Sequence, residues 1–185
     1  MSISPDNVTD LIKSKVRTVR DWPIANVNYR DVTPLFSHVE SFQLLVGWFS
    51  DLVHDRRITR VAGIDARGFI VAGAVAHACQ LPLSLVRKKG KLPPETLERS
   101  YTLEYGSESV EVHLNSAETH DRLLLIDDLI ATGGTLMASV NLYHEIGVNE
   151  VEVAAIIDLP ELQGSKRLEG ANIPVNTICA FTEDE

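Results

Sequence analysis

The chain has 185 residues, 44% of them hydrophobic and 23% charged, with a formal net charge of −9. That length and balance fit one domain, residues 1–185, with a sizeable core. The acidic charge argues against general binding to nucleic acid or to anionic membranes, and no apolar run approaches the length of a bilayer span.

The opening stretch MSISPDNVTD lacks the basic region and apolar run of a secretion signal, so a cytoplasmic location is expected. Ser4-Pro5 reads as an N-cap followed by Pro at the first helical position. Val8, Leu11, Ile12, Val16 and Val19 then recur at helical spacing up to Trp22-Pro23. Residues 24–36 read as irregular, because Pro34 is barred from strand and helix interiors. Within them Tyr29-Arg30-Asp31 offers an aromatic face and a guanidinium, which suit a flat base. A surface loop with an internal Arg–Asp pair explains the same residues. Residues 1–35 together are expected to form a small flap on the main domain.

Ser41 precedes an amphipathic pattern of Phe42, Leu45, Val46, Phe49, Leu52 and Val53, which predicts a core-facing helix. Arg60-Val61-Ala62-Gly63-Ile64 reads as a buried strand that ends in Asp65-Ala66-Arg67-Gly68-Phe69, and a helix follows to about Cys79. An Arg at such a turn can bind a diphosphate, or simply be solvated. Leu83-Ser84-Leu85-Val86 is a short strand. Residues 87–106 then show no clear periodicity. They begin with Arg87-Lys88-Lys89 and Lys91, and end in Glu104-Tyr105-Gly106. A segment of this length without periodicity suggests a mobile lid over an anionic substrate. Residues 108–114 alternate as a half-exposed strand.

The sharpest feature runs from Arg122 to Thr135. Leu123-Leu124-Leu125-Ile126 has the continuous apolarity of a strand buried on both faces, and it ends in the adjacent acids Asp127 and Asp128. Such acids lie at the carboxyl end of a strand, where open α/β sheets bind ligands. Ala131, Thr132, Gly133, Gly134 and Thr135 follow and lead into a helix. Glycines there let backbone N–H groups approach an anion, and the helix N-terminus favours negative charge. Acceptors for sugar hydroxyls beside a phosphate cradle suit a ribose 5-phosphate. There is neither a Walker A Lys nor a GxGxxG fingerprint. Downstream, 151–157 and 177–181 read as strands, with a short helical piece at Lys166-Arg167-Leu168. The alternation predicts an α/β fold with a mostly parallel sheet of about five strands flanked by helices. Cys79 and Cys179 read as free thiols, and the six histidines form no metal-ligand spacing.

Several of these stretches, in this order, resemble one family. Residues 124–135 resemble the phosphoribosyl-pyrophosphate (PRPP) signature of type I phosphoribosyltransferases. Arg87-Lys88-Lys89-Gly90-Lys91-Leu92-Pro93 and Ser100-Tyr101-Thr102-Leu103-Glu104-Tyr105-Gly106 resemble the lid of the adenine phosphoribosyltransferases. Asn28-Tyr29-Arg30-Asp31-Val32-Thr33-Pro34 is similar to their base loop, Asp65-Ala66-Arg67-Gly68 to their pyrophosphate loop, and Glu161-Leu162-Gln163-Gly164 to their C-terminal segment. Tyr29 stands where Phe is common and Ala66 where Ser is common.

The resemblance implies the type I phosphoribosyltransferase fold and purine salvage: adenine and PRPP give AMP and pyrophosphate, with Mg²⁺ bound through substrate rather than by direct protein ligands. It implies ribose binding by Asp127 and Asp128, and 5′-phosphate binding by Ala131, Thr132, Gly133, Gly134 and Thr135. Ala66, Arg67, Arg87, Lys88 and Lys91 would face pyrophosphate, Tyr29 and Arg30 the base, and Glu104 would be catalytic. A cis Asp65–Ala66 peptide and a homodimer are also implied. A phosphoribosyltransferase for another base, or a non-catalytic PRPP-binding regulator, are the alternatives.

Overall fold

The computed structural model describes residues 5–102, 107–183 and 185. Its centre is three parallel strands, β3 (Arg60–Ile64), β7 (Arg122–Ile130) and β8 (Glu150–Asp158), with Val61 opposite Leu124 and Leu125 opposite Val153. Strand β4 (Leu83–Lys88) pairs parallel with β3, and β9 (Val175–Ala180) pairs parallel with β8. These are the five parallel strands expected.

Period-two alternation along β7 explains why its apolar run is continuous. Leu124 and Ile126 face one layer, with α3 (Val39–Asp55) and α4 (Arg67–Cys79). Leu123 and Leu125 face the other, with α5 (Gly134–Glu145) and its buried Tyr143. A strand covered on both faces must be apolar at every position. Cys79 and Cys179 are free, as expected.

The sheet is wider than five strands. A hairpin of β5 (Thr96–Thr102) and β6 (Ser107–His113) adds two antiparallel strands beside β4, giving the order β5-β6-β4-β3-β7-β8-β9. The second half of the supposed lid is therefore partly strand. Leu97 and Tyr101 alternate with polar residues and pack on the α5-side core. Only one face of the hairpin is apolar, and the charged residues along it obscured the period.

The first thirty-five residues also depart from expectation. Helix α1 (Pro5–Lys15) stops before Val16; the expected Ser4 cap lies outside the described residues. The chain then forms β1 (Arg17–Val19), which pairs antiparallel with β2 (Tyr29–Asp31). Helix α2 (Thr33–Ser37) follows, with Pro34 in its first turn, where the missing N–H costs no hydrogen bond. His38 caps α3, accepting from the Ser41 N–H; Ser41 itself is buried. Strand β7 continues through both acids to Ile130 instead of ending at them.

Candidate active site

Asp127 and Asp128 emerge near the carboxyl end of β7 and line a cleft of about 430 Å³. Ala131, Thr132, Gly133, Gly134 and Thr135 continue the same wall. Ala66, Arg67 and Lys88 arrive from the ends of β3 and β4. Parallel strands with crossover helices bring these separate turns to one edge of the sheet. The Asp65–Ala66 peptide is cis, as the resemblance implied.

The loop from Ala131 to Thr135 is held by backbone packing. Gly133 caps α5 in a left-handed conformation, φ +73°, leaving the first N–H groups of α5 open to an anion. Behind it lies Gly164, the first residue of α6 (Gly164–Gly170). A Cβ at Gly164 would stand 2.1 Å from the Ala131 carbonyl and 2.8 Å from the Gly133 nitrogen. No other residue fits there without moving the loop.

The acidic pair is electrostatically loaded. Burial, then the neighbouring Asp128 charge, pushes the Asp127 carboxyl well above the usual carboxylate range. Asp128 is itself buried and accepts from Arg67 Nε at 2.5 Å. Burial opposes the Arg67 charge, but Asp128 outweighs it and the Arg67 pKa rises. The Arg67 guanidinium also lies 5.7 Å from the Tyr29 ring centre, so the flap meets the cleft at this residue. Tyr29 in turn packs edge-on against Trp22, with centroids 4.5 Å apart.

Other predicted residues sit differently. Arg87 does not line the cleft; its Nε donates to Asp65, which does, and its Nη1 donates to the Lys91 carbonyl. Lys88 lines the cleft, where its Nζ donates to Glu108 Oε1 at 3.2 Å. The Lys91 and Leu92 N–H groups donate to the buried Glu111, at 2.8 and 2.7 Å.

Arg30 is more buried than Tyr29 beside it. Its side chain is 2% exposed: Nη1 donates to Thr18, Nη2 donates to the Thr182 carbonyl, the guanidinium lies 4.7 Å from the Phe181 ring centre, and the buried Nε has no hydrogen-bond partner among the described residues. The side chain is committed to the flap's interior. The internal Arg–Asp pair does not form, because Asp31 accepts from Arg17 and Thr33. Strand β2 pairs only with β1 among the described residues, which leaves its other edge with free backbone donors and acceptors. Glu104 lies outside the described residues.

Sequence reading missed Tyr101, Glu108 and Asp65 as cleft residues. Tyr101 donates to Glu108 at 2.9 Å, closing a Tyr101–Glu108–Lys88 chain along the cleft. The alternation of Leu97 and Tyr101 was the available signal. The buttressing role of Gly164 had none beyond its place in a resembling segment. Among the described residues no group of three His, Cys, Asp or Glu side chains is arranged to hold a metal ion.

The comparisons with known proteins agree with this geometry. Residues 31–176 match the phosphoribosyl transferase domain model. The adenine phosphoribosyltransferase of Cupriavidus taiwanensis is 49% identical over 180 residues, covering 96% of this chain and 95% of its own. The crystal structure of the Rhodothermus marinus adenine phosphoribosyltransferase superposes with a TM-score of 0.88 at 40% identity, covering 95% of this chain and 99% of its own. That of the Trypanosoma brucei enzyme, in complex with AMP, pyrophosphate and ribose 5-phosphate, has a TM-score of 0.85 at 27% identity, covering 94% and 79%. The chain belongs to the phosphoribosyltransferase family, among the adenine phosphoribosyltransferases.

Proposed function

We propose that the protein transfers the 5-phosphoribosyl group of PRPP to N9 of adenine, giving AMP and pyrophosphate. One observation carries this reading: the Asp127-Asp128 pair and the loop from Ala131 to Thr135 share one cleft with Arg67 and Lys88. Sugar acceptors, a phosphate cradle and diphosphate partners thus stand side by side. The near-full-length identity to adenine phosphoribosyltransferases supports adenine as the base. So does the T. brucei relative, solved with AMP and pyrophosphate.

In this reading Asp127 and Asp128 accept from the ribose 2′- and 3′-hydroxyls. The N–H groups of Ala131, Thr132, Gly133, Gly134 and Thr135 hold the 5′-phosphate. Arg67 and Lys88 take the diphosphate, assisted by Arg87 behind Asp65 and by Lys91 at the lid's start. As the C1′–O bond breaks, positive charge develops on the ribose, and the acidic pair stabilises it. The N9–C1′ bond forms and the N9 proton passes to Glu104. Tyr29 stacks on the base, and the free edge of β2 reads its rim.

Mg²⁺ would be bound chiefly by substrate oxygens beside Asp127 and Asp128, a donor set that suits a cation needing few protein ligands, and would neutralise charge on the leaving diphosphate. A homodimer belongs to the same reading. The exposed Leu83 and Leu85 alternate outward along β4 towards Arg87, and light scattering at the expected dimer mass would support it. A cytoplasmic location is the remaining part. Among the described residues no helix is long and apolar enough to cross a membrane.

The decisive assay incubates the protein with PRPP, Mg²⁺ and a panel of adenine, hypoxanthine, xanthine and orotate. AMP from adenine alone is the expected result. Nucleotide from a different base, or from none, would sink the proposal. For Glu104→Ala we expect kcat to fall about 10²–10⁴-fold with little change in PRPP affinity. An unchanged kcat refutes the proton-transfer role.

A further inference from the structure

The flap that carries Tyr29 is fastened to the sheet by a segment far away in sequence. Strand β9 delivers Phe181, whose N–H donates to the Asp158 carbonyl at the end of β8. The Phe181 ring is 6% exposed and has a cation near it from each of two elements. Lys13 Nζ of α1 lies 4.9 Å from its centre, and the Arg30 guanidinium of β2 lies 4.7 Å away. The next carbonyls continue the attachment: Thr182 accepts from Arg30 Nη2 at 2.8 Å, and Glu183 accepts from Asn28 Nδ2 at 3.0 Å. Glu185 pairs with Lys13 at 2.6 Å, but both side chains are substantially exposed and that pair contributes little. The buried Phe181–Arg30 contact is the anchor.

We propose that Phe181 is a positioning residue for the base site, holding the Tyr29-Arg30 strand at a fixed distance from the ribose-binding end of the sheet. On the flap its ring meets Arg30 of the base loop and Lys13 of α1, and it does not line the cleft that holds Asp127 and Asp128. Arg30 serves this purpose from the other side: its guanidinium ties β2 to Phe181 and Thr182, which sets where the Tyr29 ring lies beside Arg67. The inference rests on the reading that this loop receives the base.

The test compares Phe181→Leu with the unaltered protein by steady-state kinetics and by amide hydrogen exchange. Leu keeps an apolar side chain but removes the ring face. We expect the KM for adenine to rise about tenfold, the effect of a desolvated cation–π contact, with kcat and the KM for PRPP within about twofold. Exchange over residues 17–31 should accelerate while Arg122–Ile130 keeps its protection. If Phe181→Leu does not fold, Lys13→Gln removes one of the two cations, and a rise in the adenine KM of about two- to threefold is expected. An unchanged adenine KM, or equal rises in both KM values, overturns the proposal, as does exchange that accelerates throughout the sheet. If the unaltered protein makes no nucleotide from any base, the functional reading has failed. The exchange pattern alone then decides whether Phe181 fastens the flap.

Discussion

The cradle and the flap solve the same problem in opposite ways. The cradle, from Asp127 to Thr135, is one contiguous stretch: strand end, turn and helix start. Its geometry is largely local, braced from elsewhere in the chain by the close backbone approach of Gly164 and by the Arg67–Asp128 bond. The flap has almost no local support. Strands β1 and β2 are three residues each, and they are held by ion pairs, Phe181 and the carbonyls of Thr182 and Glu183. A two-stranded ribbon alone is marginal in water, so its placement must come from tertiary contacts. The fixed charges are built into the rigid part, whereas the segment proposed to receive the base depends on its attachments.

Substitutions can break this contrast. The largest effect is expected for Asp128→Asn, which weakens the acceptor proposed for the ribose and loosens Arg67. AMP formation should fall about 10²–10⁴-fold in kcat/KM for PRPP, measured by steady-state kinetics. Gly164→Ala comes next. Its Cβ would collide with the Ala131 carbonyl, and displacing the loop should cost about 10²-fold in kcat/KM for PRPP. If the adenine KM rose while PRPP kinetics stayed intact, cradle and flap would not be separable as described.

Smaller effects sharpen the picture at the lid. Glu111 is 5% exposed, and its carboxylate accepts the Lys91 and Leu92 N–H groups. Burial opposes its charge, but these donors prevail and hold its pKa below the usual value. Its contribution is therefore present above the ordinary Glu pKa and lost as pH falls through the depressed one. Glu111→Gln should destabilise the protein by about 1–3 kcal/mol near neutrality, with the difference in Tm shrinking in acid. The smallest effect is expected for Asp127→Asn in the protein without substrate. Asp127 has a raised pKa, so native stability is lost as pH rises from the ordinary carboxylate pKa through the raised one, and the cost vanishes below the ordinary range. The variant should melt higher than the parent at pH 8 and at the same temperature in acid, while losing activity. Equal melting at both pH values would contradict the loading of the acidic pair.

The limits of sequence reading follow the same division. Asp127, Asp128 and the glycine turn were legible because strand, turn and helix start are adjacent in the chain. Arg30 reads locally as a base contact because it stands beside an aromatic; its side-chain partners Thr18, Phe181 and Thr182 are set by folding. The hairpin β5–β6 was half hidden: Val110 and Val112 mark β6, but charged residues mask the alternation of β5, where Leu97 and Tyr101 are the apolar positions on the α5-side core.

By itself, then, the sequence determined the parallel α/β core, the order of its strands and helices along the chain, and the acidic pair beside a phosphate turn. Those properties are written in periodicity and in neighbouring residues, which act over one strand or one helical turn. Only the tertiary structure decided the seven-strand width of the sheet, the Tyr101–Glu108–Lys88 chain, the Gly164 buttress and the fastening of the flap by Phe181. Each of these joins residues from separate elements. Such contacts form when burial brings those elements together, and no local pattern encodes them.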